Sequence, residues 1–398
     1  MPELPKLLVA TEFPPNVPGG GGAIVRQMLE GWPANKIFWW SCLPDKNQQF
    51  GQSVAGHAVA NIHSKLYPNK RAVRFKSWVL GAVWRPWAAS NLRKTLKAVQ
   101  PDVVWVIPHC WSIPPLADVM LNANVNFHIS IHDYPDIRLA IDRFGANRCR
   151  QMARQVDALY AHAATRDAIC QQMIDDLQAR TEASGTICRA GLEDEDFDYL
   201  GREPKPQSGS IRIAYAGTII AEETFAVFVK ALAKVRAQLP RPLTLDLFGN
   251  HSYRSRPWFD AGWMVEHGSL NTRELLLAIK DCTWGFSPME LTDDNARYNR
   301  FSLPTKTVSY LAAGLPIISL GHPESTVVKL ASQYRLGICL SETNPDNLCA
   351  RLSPVLSEVN PHTKYRSEIL RCATAEFDAR QMRKTLHDNF LKCAAVSR

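Results

Sequence analysis

The sequence predicts an α/β protein made of two doubly wound domains. Three observations carry that prediction. Short apolar runs alternate with longer amphipathic ones along almost the whole chain, the pattern of parallel strands with helices packed on both faces. The alternation is interrupted once, at Gly201–Ser210 (GREPKPQSGS), where two prolines, two glycines and mixed charge suit an exposed linker. The length of 398 residues fits roughly two or three domains of ordinary size.

In the first half, strands are predicted at Lys6–Phe13, Lys36–Cys42, Asp102–Pro108, Val125–Ile131, Val156–His162 and Thr186–Ala190, with helices such as AIVRQMLEGW and NLRKTLKAV between them. After the linker, Ile211–Thr218 reads as a strand entering a glycine turn. The amphipathic EETFAVFVKALAKVRAQL follows, then the strand Leu243–Asn250, the segment WMVEHGSL, the helix TRELLLAIKD and the run CTWGFSP. PIISL and LGICLSE read as the last strands. The expected organisation is a first domain over 1–200, a linker over 201–210, a second domain over 211–375, and a final helix over 376–398 as a candidate to pack back on the first domain. Two such domains facing each other would place their strand ends around a central cleft.

Composition narrows the function. Apolar residues make up 46%, enough for a normal core, and no apolar run reaches the length of a membrane span. The opening MPELPKLLVATEF shows no charged-then-apolar leader, so a cytoplasmic chain is expected. Its ten scattered cysteines form no CxxC pair and are expected to be reduced and mostly buried. A net charge of +8 favours an anionic partner. No HExxH, paired Cys/His set, phosphate-binding Walker loop or GxSxG is present, so neither a metal nor a serine nucleophile is expected.

The most informative stretch is RFSLPTKTVSYLAAGLPIIS, Arg300–Ser319. Pro304 fits a first-turn position and Gly314 a helix stop, with Pro316 forbidding continuation. Thr305 and Lys306 then stand at the positive end of a short helix. That end is a candidate anion site, with a solvated surface lysine as the alternative. Four glycines, Gly19, Gly20, Gly21 and Gly22, follow the first strand and precede a helix. They permit close backbone approach, but are not the GxGxxG fingerprint, and a flexible loop is the alternative reading. His132 and Asp133 come directly after a predicted strand, where site residues sit in open parallel sheets. A histidine there can orient a sugar hydroxyl or move a proton near neutral pH, and the aspartate can serve as a base or fix the imidazole. The aspartate can equally cap a helix. His128 reads as structural and His109 as a weaker candidate. Gly217 and Thr218 close one strand of the second domain and Asn250 another, as turn residues or as one edge of a phosphate site. Glu290, Arg297 and Arg300 lie on a mixed-charge loop whose arginines would suit a diphosphate.

One segment stands apart. Lys65–Trp87 interleaves Lys65, Lys70, Arg71, Arg74 and Lys76 with Phe75, Trp78, Trp84 and Trp87. These ingredients suit an anionic bilayer surface; they can also stack on single-stranded nucleic acid or form an ordinary buried helix.

Taken together, the motifs resemble those of GT-B glycosyltransferases, specifically the large retaining class that uses nucleotide-sugar donors. PPNVPGGGGAIVRQML resembles that class's glycine loop beside the donor, SIHDYPD its strand-end His or Asp site, and ICRAGLEDEDF the segment entering the interdomain linker. RIAYAGTI and LTLDLFG resemble the opening donor-domain strands, and SLPTKTVSYLAAGLPII the Pro-x-Lys helix. The resemblance implies two Rossmann-like domains, with Lys306 on the donor phosphates and Gly20, Gly21, Gly22, Gly217, Thr218, Asn250, Glu290, Arg297, Arg300, Thr305 and Ser309 around the nucleotide sugar. His132 and Asp133 would be the catalytic pair. The class commonly carries two glutamates eight positions apart around this helix; the matching positions here are Phe301 and Ser309. It also commonly carries Arg or Lys just after the first donor-domain strand, where GTIIAEETF offers only acids.

The implied function is transfer of a sugar from a nucleoside diphosphate sugar to a lipid-linked or envelope saccharide, with retention. No cofactor beyond the nucleotide sugar and no metal is expected. The implied setting is the cytoplasm, peripheral at the inner membrane face through Lys70, Arg71, Arg74, Lys76, Trp78 and Trp84. The alternatives are a non-catalytic GT-B-shaped saccharide-binding or transferase-partner protein, suggested by the two missing glutamates, and a nucleic-acid-binding protein.

Overall fold

A computed structural model describes residues 3–17, 20–44, 53–66, 72–202 and 209–396. The chain divides into two compact units, one of Met1–Ala190 with Ala379–Arg398 and one of Gly191–Asp378.

The first unit is built on a parallel sheet of seven strands: β1 (Leu7–Thr11), β2 (Ile37–Ser41), β3 (Gly56–Val59), β4 (Val103–Ile107), β5 (Phe127–Ile131), β6 (Thr165–Ala168) and β7 (Thr186–Ile187). Their order is β3-β2-β1-β4-β5-β6-β7. β1 and β4 run through the middle, with Leu7 beside Ile37 on one side and Val103 on the other. Every residue of both strands is buried, which is why LLVAT and VVWVI read as continuous apolar runs rather than alternating ones.

The second unit repeats the arrangement with six parallel strands: β8 (Ile211–Ala216), β9 (Leu243–Phe248), β10 (Met264–Gly268), β11 (Trp284–Pro288), β12 (Ile317–Leu320) and β13 (Gly337–Leu340), ordered β10-β9-β8-β11-β12-β13. Its core includes Phe228 stacked on Phe286 with ring centroids 3.6 Å apart. Two parallel-sheet α/β domains is thus the observed architecture.

Three elements differ from the sequence reading. Val156–His162 is the end of an Ala146–His162 helix, not a strand. Its buried residues Cys149, Met152, Ala153, Val156, Leu159 and Tyr160 recur at helical spacing, a period that the short window VDALYAH conceals. The strand in that region is β6, whose sequence TRDA carries little apolar signal. β3 was also not anticipated, because GHAV is only half-buried at a sheet edge. The second unit begins at Gly191, ahead of the Gly201–Ser210 stretch: the Asp194–Gly201 helix packs there, with Leu192 and Leu200 in the same buried cluster as Leu311 and Phe377. Entry and exit lie side by side, since Leu192 N–H donates to Phe377 O at 2.6 Å.

The closing Ala379–Ala395 helix packs in the first unit. Leu386, Phe390 and Cys393 are fully buried there among Leu7, Val9 and Trp105. None of the ten cysteines forms a disulfide, and most of them are buried.

Candidate functional site

In each sheet the order of strands reverses next to the first strand of the unit, between β1 and β4 and between β8 and β11. Loops leaving the carboxyl ends of such strands diverge and open a crevice. The candidate residues fall into two groups by this rule, one in each unit.

In the first unit, β1 leads through a loop into the Gly20–Met28 helix. Gly20 has φ of +47°, a left-handed conformation that favours glycine. A Cβ on Gly22 would lie 2.2 Å from Val17 Cγ1, so only glycine fits against this loop. Arg26 holds the loop by donating from its guanidinium to the carbonyls of Pro15 and Val17. Gly19 lies outside the described residues.

Gly21 meets the ends of β4 and β5. A Cβ there would stand 3.5 Å from His132 Nδ1, 3.6 Å from His109 Nε2 and 3.5 Å from Phe13 Cε1. The two imidazoles lie edge to face, with centroids 5.9 Å apart. Burial pushes the pKa of His109 down to about 4, and burial together with neighbouring His109 pushes that of His132 down to about 3. Both rings are therefore uncharged at neutral pH. They are hydrogen-bonding groups there and weak bases, which favours orientation over proton shuttling for His132. Among the described residues, buried His109 Nε2 and His132 Nδ1 have no hydrogen-bond partner.

Exposed Asp133 lines a cavity of about 160 Å³ together with His109, Cys110, Tyr134, Arg143 and Phe144. Cys110 takes φ of +39°, unusual for a residue with a side chain. Burial and nearby Glu12 hold its thiol well above the usual range.

In the second unit, Lys306 lies in the first turn of the Thr305–Ala312 helix. Pro304 occupies the capping position just before that helix. Half-buried Lys306 donates from Nζ to the Tyr215 hydroxyl at 2.7 Å, and Nζ sits 3.9 Å from the Tyr215 ring centroid. That hydroxyl in turn donates to Thr218 O at 2.7 Å. Lys306 has no carboxylate partner among the described residues, and burial lowers its pKa to about 7. A lysine at a helix start with no carboxylate partner among the described residues can receive an anion, which would favour its charged form.

Gly217 supports this end with φ of +97°, and Gly249 approaches it so closely that a Cβ on Gly249 would lie 3.0 Å from Gly217 O. Asn250 and Thr218 are exposed beside this contact, and Thr218 Oγ1 lies 3.4 Å from His251 Nδ1. Thr305 is exposed, and Ser309 Oγ, one turn on, donates to Thr305 O at 3.5 Å. Phe301 is a buried core residue. Glu290 accepts His322 N–H on its carbonyl at 2.9 Å. Half-buried Arg297 and exposed Arg300 lie on the Ala296–Phe301 helix, with Arg300 O accepting from the Thr326 hydroxyl.

The basic-aromatic segment divides. Lys70 and Arg71 lie outside the described residues. The chain runs as a Val73–Val79 helix, a wide turn over Leu80–Trp84 and an Arg85–Val99 helix, so Gly81 and Pro86 do not end the helical path. Phe75 and Trp78 are each 62% exposed and stack at 6.4 Å; Val83 and Trp87 are also exposed. Arg74 is exposed and Lys76 half-buried. Trp84 corrects the sequence reading. It is buried, donates from Nε1 to Ala60 O at 3.2 Å and meets Trp111 edge to face, because its place along the helical path puts it on the face of buried Ser77, Leu80 and Ala88, away from Trp78. No helix among the described residues is long and apolar enough to cross a membrane.

Two residues gained weight that sequence reasoning gave them only weakly or not at all. His109 carried the faint signal of a position just past a strand. Tyr215 lay inside the YAGT turn, but nothing local linked it to a lysine 91 positions away.

No protein-family model matches the sequence, and no curated protein matches it. Solved structures share its fold. Sucrose-phosphate synthase from Thermosynechococcus elongatus superposes with a TM-score of 0.68 at 12% identity, covering 98% of this chain and 99% of that one. An α,α-trehalose-phosphate synthase (UDP-forming) from Burkholderia xenovorans, in complex with glucose-6-phosphate, gives 0.64 at 11%, covering 97% and 100%. WaaG, a glycosyltransferase involved in lipopolysaccharide biosynthesis, gives 0.62 at 12%, covering 96% and 98%. The fold is that of GT-B glycosyltransferases.

Proposed function

We propose that this chain is a glycosyltransferase that binds a nucleoside diphosphate sugar through its second unit and transfers the sugar, with retention, to a lipid-linked or envelope saccharide. The observation that carries the reading is Lys306, an ammonium without a carboxylate partner at a helix start, backed by Tyr215. Similarity of fold to a UDP-forming synthase supports the class of reaction.

As the sugar–oxygen bond breaks, negative charge grows on the departing diphosphate. Lys306 and the positive end of its helix would stabilise that charge from fixed positions, with little reorganisation. Tyr215 holds the ammonium in place without neutralising it. Thr305, Ser309, Asn250, Thr218 and the Gly217 turn would contact the rest of the donor, with Arg297, Arg300 and Glu290 from the neighbouring segment. In the first unit, the glycines Gly20, Gly21 and Gly22 allow close approach of a ligand, neutral His132 would orient sugar hydroxyls, and exposed Asp133 would accept the proton of the incoming hydroxyl. The donor needs no metal in this scheme, because the charge is met by Lys306 and the positive end of its helix.

Exposed Phe75, Trp78, Val83 and Trp87 beside Arg74 and Lys76 support peripheral attachment to an anionic membrane. The inner face of the cell membrane is the proposed setting, where a lipid-linked acceptor would be presented.

The test is Lys306→Ala. Sugar transfer from a panel of nucleotide sugars should fall about a hundredfold or more while the circular dichroism spectrum is unchanged; transfer at the wild-type rate would remove the mechanism. A second reading, a saccharide-binding GT-B protein without catalysis, is favoured by buried Phe301 and by Ser309 in place of two carboxylates. Binding of a nucleotide sugar with neither hydrolysis nor transfer would select it.

A further inference from the structure

The cavity of about 160 Å³ in the first unit lies just past the ends of β4 and β5. Most of its wall is carbon: Ile113, Tyr134, Ala140, Phe144 and Met152 are buried and Ile137 is half-buried. Burial holds its polar groups His109 and Cys110 in their neutral forms. The charged residues of the lining are Asp133 and Arg143, and both are exposed. Among the described residues Arg143 makes no hydrogen bond or ion pair, so its guanidinium is open to an outside partner. Ala140, Arg143 and Phe144 recur at helical spacing, so one face of the Arg138–Phe144 helix supplies this part of the wall.

These walls narrow the choice of occupant. A cavity of about 150 Å³ lined by aliphatic and aromatic side chains takes a body of about six carbon atoms. A saccharide in that place would bury hydroxyls against Ile113, Phe144 and Met152, and each hydroxyl left without a partner is costly. A bare hydrocarbon would leave Arg143 unmatched. A guanidinium suits the paired oxygens of a phosphate. Asp133 would repel an anion placed against it but can accept from a hydroxyl. An apolar chain, a phosphate and a hydroxyl-bearing group joined in one molecule satisfy all three features.

The helix that lines the cavity also meets the exposed apolar patch. The Val73–Val79 helix, which carries Phe75 and Trp78, packs on the Arg138–Phe144 helix, where Ile141 is 36% exposed. Arg148 lies over the Trp111 ring and donates to Ser77 O at 3.4 Å, and Trp111 meets Phe144 edge to face at 5.8 Å. A lipid held at the patch is therefore beside the helix that forms the cavity wall.

We infer that this cavity is the acceptor's lipid-phosphate port: it takes about six carbons of an apolar chain, Arg143 holds the phosphate of that lipid, and the saccharide carried on the phosphate is presented to Asp133. The inference deepens the glycosyltransferase reading and rests on it for the role of Asp133. The chain is either an isoprenoid or a fatty acyl group.

Calorimetric titration of the full chain with soluble short-chain probes, in the absence of membranes, tests the port. The lipid phosphates are geranyl phosphate and dihexanoyl phosphatidic acid; the controls are geraniol, inorganic phosphate and glucose 6-phosphate. At least one lipid phosphate should bind about tenfold or more tightly than every control, and it should move the methyl resonance of Met152, assigned with Met152→Leu. The tighter of the two names the chain. Arg143→Gln, at an exposed position, should raise the Kd of that probe about tenfold and leave geraniol unchanged. Ala140→Leu keeps a good helix former and fills part of the cavity; it should weaken geraniol and the lipid phosphate alike and leave binding of UDP and GDP unchanged. The inference is overturned if neither lipid phosphate binds, if glucose 6-phosphate binds as tightly, if the Met152 methyl is silent, or if Arg143→Gln binds the lipid phosphate as wild type does. Any of these with UDP or GDP still bound overturns the port alone, whereas the absence of all nucleotide and nucleotide-sugar binding would bring down the glycosyltransferase reading with it.

Discussion

Binding of a nucleoside diphosphate at Lys306 should draw a proton from solution. Free Lys306 titrates at about 7 because burial disfavours its charge and no carboxylate compensates. A diphosphate against the ammonium would restore the charged form and return the group toward the ordinary lysine value of about 10.4. At pH 8 the free lysine is then about one-tenth protonated and the bound one almost fully, so about 0.9 proton is taken up. At pH 6 uptake at this lysine falls to about 0.1. Affinity should weaken by about tenfold per pH unit above pH 7, up to the bound pKa. The nucleotide's own terminal phosphate titrates near 6, so it is fully ionised at pH 8 and adds little. Calorimetric titration of UDP or GDP at pH 8 in two buffers of different ionisation enthalpy measures the uptake directly. Lys306→Arg keeps its charge at every working pH and should show none. Stability of the unliganded protein runs the opposite way. The folded pKa lies below the unfolded one, so between about pH 7 and 10.4 the unfolded chain binds more protons and this lysine's contribution to stability rises with pH. Below pH 7 the penalty of burying the charge is fully present. Nucleotide binding with a heat independent of buffer at pH 8 would refute the reasoning, for then Lys306 either keeps its proton throughout or stands away from the phosphates.

Other outcomes follow from packing. Phe390→Ala should cost about 3–5 kcal/mol and loosen the Ala379–Ala395 helix from the first unit; hydrogen exchange should show lost protection in that helix and in β4, and unchanged protection there would contradict its docking. Trp78→Glu should reduce sedimentation with phosphatidylglycerol-containing vesicles at least several-fold at low salt, without changing the melting temperature by more than a degree or two. Trp84→Ala should instead lower stability by about 3–5 kcal/mol, because Trp84 is buried against Trp111; a stability loss from Trp78→Glu comparable to that from Trp84→Ala would overturn the division between exposed and buried tryptophans.

Much of the architecture is written in local pattern. LLVAT, VVWVI, FHISI, IRIAYA and LTLDLF are largely apolar because their strands are covered on both faces. The helix at Thr305–Ala312 is bracketed by Pro304 and Gly314, so both its limits and the place of Lys306 were readable. Where the pattern was shorter than its period, reading failed: VDALYAH shows only two turns of a helix whose apolar stripe starts at Cys149. TRDA and GHAV are strands because neighbours pair with them, not because their residues prefer it. Trp78 and Trp84 have the same side chain and opposite fates, because six positions of helical path set them on different faces, one outward and one against the core.

The order of residues by itself determined the α/β class, most strand positions and the helix that carries Lys306, since each depends on interactions between residues a few positions apart. Only the tertiary structure decided that Tyr215 would meet Lys306, that His109 and His132 would come together near Gly21, and that burial would lower the pKa values of Lys306, His109 and His132 and so favour their neutral forms. Strand order brings distant loops together, and the loss of water that shifts a pKa exists only once those loops have packed.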